Sequence, residues 1–291
     1  MNTLAIDIGG TKFALALFEG QHVSIRLTHP TNREAGREWL LAQMEPTLRQ
    51  WKNEIGIHRC GVGFGGPVDY AAQRVALSTH APGWRDFPLA DYLKDVLGAP
   101  VILDNDANVG ALGEAAYGAG QDGAGQAARP LFYMTLSTGI GGGIVLEDGS
   151  IYRGADSYAG EIGHLNVRQD GPECLCGSRG CLERMCCGLW LERDYGKSVP
   201  ELFEDPEFAT RYVVDLARGL KAAIMLLNPA RIVIGGGIAN AGERLFAPLR
   251  AELRRQVTNW SRARLDVVPA ALGNDSVLWG ALALASQTDS R

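Results

Sequence analysis

The sequence predicts an α/β protein of two domains, each built on a strand–glycine turn–strand unit. The first unit runs from Thr3 to Phe18 around Asp7-Ile8-Gly9-Gly10-Thr11-Lys12. About 130 residues on, Leu131 to Glu147 repeats the plan around Thr138-Gly139-Ile140-Gly141-Gly142-Gly143. Such duplication marks a fold of two similar halves. Two units of this kind, one per domain, can clamp a phosphate chain from both sides. The 291 residues suffice for two domains of ordinary size. The expected division is a small N-terminal domain, 1–119, with Asp106 at its cleft edge, and a large domain, 120–291. The last helix, 275–287, is expected to pack back on the small domain.

Composition narrows the function classes. Hydrophobic residues are 46% and charged residues 21%, which is ordinary for a globular protein. A net charge of -5 argues against a nucleic-acid surface. No apolar run approaches the ~18 residues of a membrane span. Met1 to Leu4 passes straight into a strand pattern, so no signal peptide is expected. The cysteines bunch at Cys174, Cys176, Cys181 and the Cys186–Cys187 pair, which is not a distributed disulfide framework. A reduced, cytoplasmic protein is expected.

Taken in order, Thr3 to Gly9, Phe13 to Phe18 and the alternating His22 to Thr28 read as a β-meander. Gly9 and Gly10 let the backbone approach a ligand and aim N–H groups at an anion, while Thr11 adds a hydroxyl and Lys12 a cation. Asp7 would repel phosphate unless a hydrated Mg²⁺ lay between them. A tight hairpin would show the same glycines. Glu34 to Asn53 reads as a helix, Arg59 to Phe64 as a strand ending in Gly65-Gly66-Pro67, and Phe87 to Leu97 as a short helix. Val101-Ile102-Leu103 is a buried strand, and Ala107 to Gly120 an Ala- and Leu-rich helix. Asp106 therefore stands at a strand-to-helix corner, at the carboxyl end of a strand, where open α/β sheets place ligands. A carboxylate there can accept the proton of a substrate hydroxyl. Asn105 or Asp106 could equally be a helix cap.

Gln121 to Arg129 reads as a loop at the domain join. Leu131 to Ser137 is a strand, the run from Thr138 to Gly143 a turn, and Ile144 to Glu147 the partner strand. Pro206 to Leu227 is a long amphipathic helix, and Ala230 to Ile234 a strand entering Gly235-Gly236-Gly237. Glu243 to Val257 is a helix, Leu265 to Val268 a strand, Asp275 to Ala285 an apolar helix, and Thr288 to Arg291 a frayed tail. The triple glycine lacks the spacing of a dinucleotide fingerprint, and no Walker A sequence occurs.

The segment from Gly160 to Glu183 carries the most specific chemistry. His164, Cys174, Cys176 and Cys181 supply one imidazole and three thiolates, a closed tetrahedral set suited to structural Zn²⁺. The bland alternative is reduced cysteines beside one satisfied histidine. Cys186, Cys187 and Cys60 read as small packing residues. Glu161 and Glu183 flank the loop. Carboxylates beside an imidazole suit a polyol, although each alone could be solvated surface. Zinc would fix the loop carrying Glu161, His164 and Glu183.

These motifs, in this order, resemble the ROK family, which joins sugar kinases to sugar-responsive repressors within the larger actin-like ATPase, or ribonuclease H-like, fold. The resemblance covers nearly the whole chain. It implies duplicated β-sheet cores with a cleft between domains, and an ATP- and Mg²⁺-dependent hexose kinase with glucose as leading substrate. N-acetylmannosamine, N-acetylglucosamine and fructose are the runners-up, and a non-catalytic sugar sensor is the rival class. By resemblance, Asp106 is the base on the sugar hydroxyl, and Asn105, Glu161, His164, Glu183 and Gly66 bind the sugar. His164 would use its other ring nitrogen for zinc. Asp7, Gly9, Gly10, Thr11, Lys12, Thr138 and Gly139 would hold the ATP phosphates and their metal, with Gly236 and Gly237 beside the adenosine. A homodimer or tetramer is implied, with hexose and ATP as partners and neither nucleic acid nor membrane. Two positions depart from the family: Gly65 replaces a frequent proline, and His80 stands where many members carry a sugar-touching asparagine. Repressor members carry a helix-turn-helix before the first strand, for which the start at Thr3 is expected to leave no room.

Overall fold

The computed structural model describes residues 1–78, 81–121, 127–262 and 264–287. His80, residues 122–126 of the expected join loop and the 288–291 tail lie outside the described residues. The first half runs β1 (Asn2–Ile8), β2 (Lys12–Glu19), β3 (His22–Pro30), α1 (Gly36–Glu54), β4 (Arg59–Phe64), β5 (Val68–Asp69), β6 (Arg74–Val75), α2 (Leu89–Leu97), β7 (Val101–Asn105) and α3 (Asp106–Tyr117). The second runs β8 (Leu131–Leu136), β9 (Ile140–Val145), α4 (Leu182–Cys186), α5 (Gly188–Tyr195), α6 (Val199–Leu202), α7 (Pro206–Leu227), β10 (Arg231–Gly235), α8 (Glu243–Gln256), α9 (Asn259–Arg262), β11 (Val267–Pro269) and α10 (Ser276–Ala285). Among the described residues no helix is long and apolar enough to cross a membrane.

The duplication is visible in the sheets. The first has the order β3-β2-β1-β4-β7 and the second β11-β10-β8-β9. In each, a central strand pairs antiparallel with the strand that follows it (β1 with β2, β8 with β9). On its other side it pairs parallel with a later strand, which pairs parallel with another (β1-β4-β7, β8-β10-β11). Within these two sheets, among the described residues, β3 alone lacks a counterpart. Register then sets the site. Ile8 pairs with Phe64, and Phe64 with Asn105, so three parallel strands end in one row. Gly9, Gly65 and Asp106 therefore leave the sheet side by side.

One expected boundary is corrected. The run from Gly141 to Gly143 is not turn but strand, since β9 begins at Ile140 and pairs Gly141, Gly142 and Gly143 with Thr135, Met134 and Tyr133. The reason is packing. A Cβ on Gly143 would stand 2.5 Å from the Ala107 carbonyl oxygen, and one on Gly141 would stand 2.9 Å from Ala107 Cβ. Only bare backbone lets α3 lie this close to β9.

Helix α3 is buried from Ala107 to Ala115, and its other side meets α10 just as closely. A Cβ on Gly280 would fall 1.7 Å from the Val109 carbonyl oxygen, and one on Gly113 2.2 Å from that of Ser276. Helix α10 also covers the first sheet, where a Cβ on Gly61 would stand 2.0 Å from the Ala281 carbonyl oxygen. The chain passes between the halves after α3 and again over 270–275 before α10, and the fully buried Glu114 ties the start of the first crossing and the second to α3. Its carboxylate accepts from Ala119 N at 2.8 Å, Ala271 N and Leu272 N at 3.0 Å each, and Ser276 Oγ at 2.7 Å.

Replacing Glu114 with alanine would leave these donors in the dark, at about 1–3 kcal/mol for each that stays unpaired. Glu114→Ala is therefore expected to lower unfolding stability by about 3 kcal/mol or more in denaturant titration. A loss under about 1 kcal/mol would contradict this account of the crossings.

Candidate active site

The corner after β7 divides its labour. Asn105 is the N-cap of α3, its Oδ1 accepting from Ala107 N at 2.9 Å and Asn108 N at 3.3 Å. Its Nδ2 donates to the Gly66 carbonyl at 3.0 Å. Since Asn105 does the capping, Asp106 is released to face the cleft. Asp104, buried behind them, accepts from Asn105 N at 2.8 Å, Asn108 Nδ2 at 3.0 Å and Arg153 Nε at 2.8 Å, which fixes the corner from below. At the Gly65 departure the backbone N–H donates to the Ile8 carbonyl at 2.8 Å, a bond that a proline could not make.

A cleft of about 280 Å³ opens at this edge. It is lined by the corner (Asn105, Asp106, Gly66), the first turn (Asp7, Gly9, Gly10, Thr11, Lys12), the second (Thr138, Gly139), the β10 exit (Gly236, Gly237) and Glu161, His164, Cys176 and Glu183. Every residue singled out from the sequence for substrate or nucleotide thus lines one space. A second cavity of about 680 Å³ shares Thr11, Ser137, Thr138, Leu189 and Gly237 with it and extends toward Glu192, Ser198, Asn240 and Arg244. That volume falls in the ~300–1,000 Å³ range of small-molecule sites.

Burial raises the Asp106 carboxyl to about 7, with the Asp7 charge adding to the shift. Burial likewise raises Asp7 to about 7, partly offset by Lys12. Two carboxylates kept from ionising mainly by burial, Asp106 also by the Asp7 charge, fit a divalent cation held beside them. Glu161 is also pushed up by burial, with His164 pulling it back. His164 Nε2 lies 3.8 Å from Glu161 Oε2.

The glycine turns are partly self-satisfied. Gly9 N–H closes its own turn on the Lys12 carbonyl at 2.9 Å, and Ser137 N–H closes the second on Gly139 at 3.0 Å. In the loop after α3's partner strand, the ligand atoms of His164, Cys174, Cys176 and Cys181 lie within 4.8 Å of one another. Cys176 Sγ and Cys181 Sγ are 3.6 Å apart. Zn–S bonds of ~2.3 Å make a tetrahedral edge of roughly 3.7 Å, so the set fits zinc. Gly180 makes the loop's closest approach: it has φ +64°, and a Cβ there would meet the Arg168 carbonyl oxygen at 1.8 Å. Burial raises the Cys181 thiol to about 12, so it stays protonated until a metal displaces the proton.

The cysteine loop also reaches the second glycine turn. Its last residues join the second turn, as Glu183 Oε2 accepts from Ile140 N at 2.9 Å. Glu183 is not solvated surface. Sequence reasoning also missed Tyr133, Thr135, Asn274 and Ser276 on the cleft wall, and Arg33, whose Nε donates to the Gly10 carbonyl. No local pattern marks them, because they come from β8, the α10 approach and the loop after β3.

A duplicated α/β fold, with a carboxylate at a strand end facing two glycine turns across a cleft, defines the actin-like ATPase fold. The ROK family model matches residues 3–288, and the chain belongs to the ROK family. It is 32% identical to a glucokinase of Thermotoga maritima over 98% of this chain and 97% of that protein. The structure of a ROK hexokinase from Thermus thermophilus matches with TM-score 0.81 and 32% identity over 100% of this chain and 99% of that one. A ROK family glucokinase from Streptomyces griseus, solved in complex with glucose and AMPPNP, matches with TM-score 0.83 and 29% identity over 99% of this chain and 100% of that one.

Proposed function

We propose that this protein transfers the γ-phosphoryl group of ATP to a hydroxyl of glucose. The observation that carries the reading is the Asp106 corner, set at one edge with both glycine turns and adjoined by a second cavity large enough for a nucleoside. The full-length likeness to glucokinases supports the choice of sugar. Asp106 accepts the proton of the attacking hydroxyl. Asn105, Glu161, His164 and Glu183 orient the sugar, and the acceptor-rich wall suits its hydroxyl donors. The turns at Gly9–Lys12 and Thr138–Gly139 receive the phosphates, and Asp7 would hold Mg²⁺, which would supply neutralisation of phosphate charge. Gly236 and Gly237 border the adenosine. Zinc at His164, Cys174, Cys176 and Cys181 shapes the sugar loop and takes no part in the transfer. Six free cysteines and a thiolate metal site fit a reducing cytoplasm.

Asp106→Asn keeps shape but cannot take the proton, so kcat should fall ~10²–10⁴-fold while glucose still binds by calorimetry. Near-normal kcat in this variant would refute the assignment. Because Asp106 must be ionised to act, kcat/KM for glucose should rise with pH through about 7 and then level. A profile flat across neutrality would contradict this. Cys176→Ser should carry no zinc by elemental analysis, melt earlier and show a raised KM for glucose. Zinc-free wild-type protein, purified without chelator, would rule out the metal.

A further inference from the structure

Glu183 touches both halves of the reaction. It is the second residue of α4, held directly after the cysteine loop, since Cys181 is the N-cap of that helix. Its Oε2 accepts the Ile140 N–H at 2.9 Å. A Cβ on Gly139 would stand 2.9 Å from the same oxygen, so carboxylate and turn are in close contact. Just beyond it the chain grips the turn twice more: Gly188 N donates to the Ser137 carbonyl at 2.8 Å, and Leu189 N to that of Thr138 at 3.2 Å. Among the described residues Glu183 Oε1 has no hydrogen-bond partner, and the side chain lines the cleft with Glu161, His164 and Asp106. Neither Glu161 nor His164 has a side-chain hydrogen bond to the turn.

We infer that Glu183 is the positioning residue that couples the sugar and nucleotide subsites. One oxygen holds the phosphate turn and the other receives a sugar hydroxyl. The inference rests on the sugar-kinase reading. A sugar hydroxyl that fixes the carboxylate removes its rotamer freedom and so fixes the Ile140 amide and the turn that meets the phosphates. Nucleotide then binds a turn already ordered, and by reciprocity nucleotide tightens sugar.

Calorimetry of AMPPNP with and without saturating glucose tests this. In the wild type glucose should tighten AMPPNP by about fivefold or more. In Glu183→Ala the ratio should fall to within about twofold of one, with AMPPNP alone also weakened. Glu161→Ala, which lines the sugar subsite without bonding the turn, should weaken glucose yet keep the wild-type ratio once glucose saturates. Zinc per chain is measured in each variant. Where Glu183→Ala loses zinc, Glu183→Asp replaces it, being one methylene too short to bridge both groups, and should show the same collapse. A wild-type ratio of one, or a Glu183 variant with the wild-type ratio, overturns the coupling. Absence of glucose phosphorylation by the wild type would instead sink the functional reading.

Discussion

The close approach of α3 to the backbones on either side of it governs the rest of the molecule. Gly113 and Gly280 bring it against α10, and Gly141 and Gly143 bring β9 against it. Protein interiors are close-packed, so a methyl group at any of these positions has nowhere to go without moving an element. Asp106 is the first residue of that helix. Its position is therefore set from both halves of the molecule at once, by β9 on one side and α10 on the other.

The strand ends do the rest. Because β1, β4 and β7 finish in one row, Asp7 and Asp106 are held near each other at the cleft edge. Both carboxyls rise from 3.8 to about 7. The folded chain thus binds these protons more tightly than the unfolded chain. The stability this contributes is complete below 3.8 and is lost as pH rises through about 7. A divalent cation beside them, as proposed for Mg²⁺, would favour the ionised pair and offset that loss.

Local pattern made much of this legible. The strands of the first unit show as apolar runs, the Asp106 corner as a change of period, and the metal set as residue types in a glycine-rich loop. What could not be read was non-local or patternless. The strand through Gly141–Gly143 carries no side chains to alternate, so it passed for a turn. The Glu183–Ile140 hydrogen bond joins residues 43 apart, and the Glu114–Ser276 bond residues 162 apart. In the sequence Glu114 is one more helical glutamate. Asn105 and Asp106 are both candidates for the helix cap, a choice that only the hydrogen bonds of Asn105 resolve.

Helix α10 has one further implication. It lies against β1, β4 and α3, yet it leaves the ribosome some 270 residues after β1. Until then one face of the first sheet, with Gly61 and Gly63 bare beneath α10, has only α3 to cover part of it. The early half therefore cannot mature domain by domain during synthesis, as many multidomain chains do. Its completion waits for the late half, and the nascent chain carries an exposed apolar face through most of its translation.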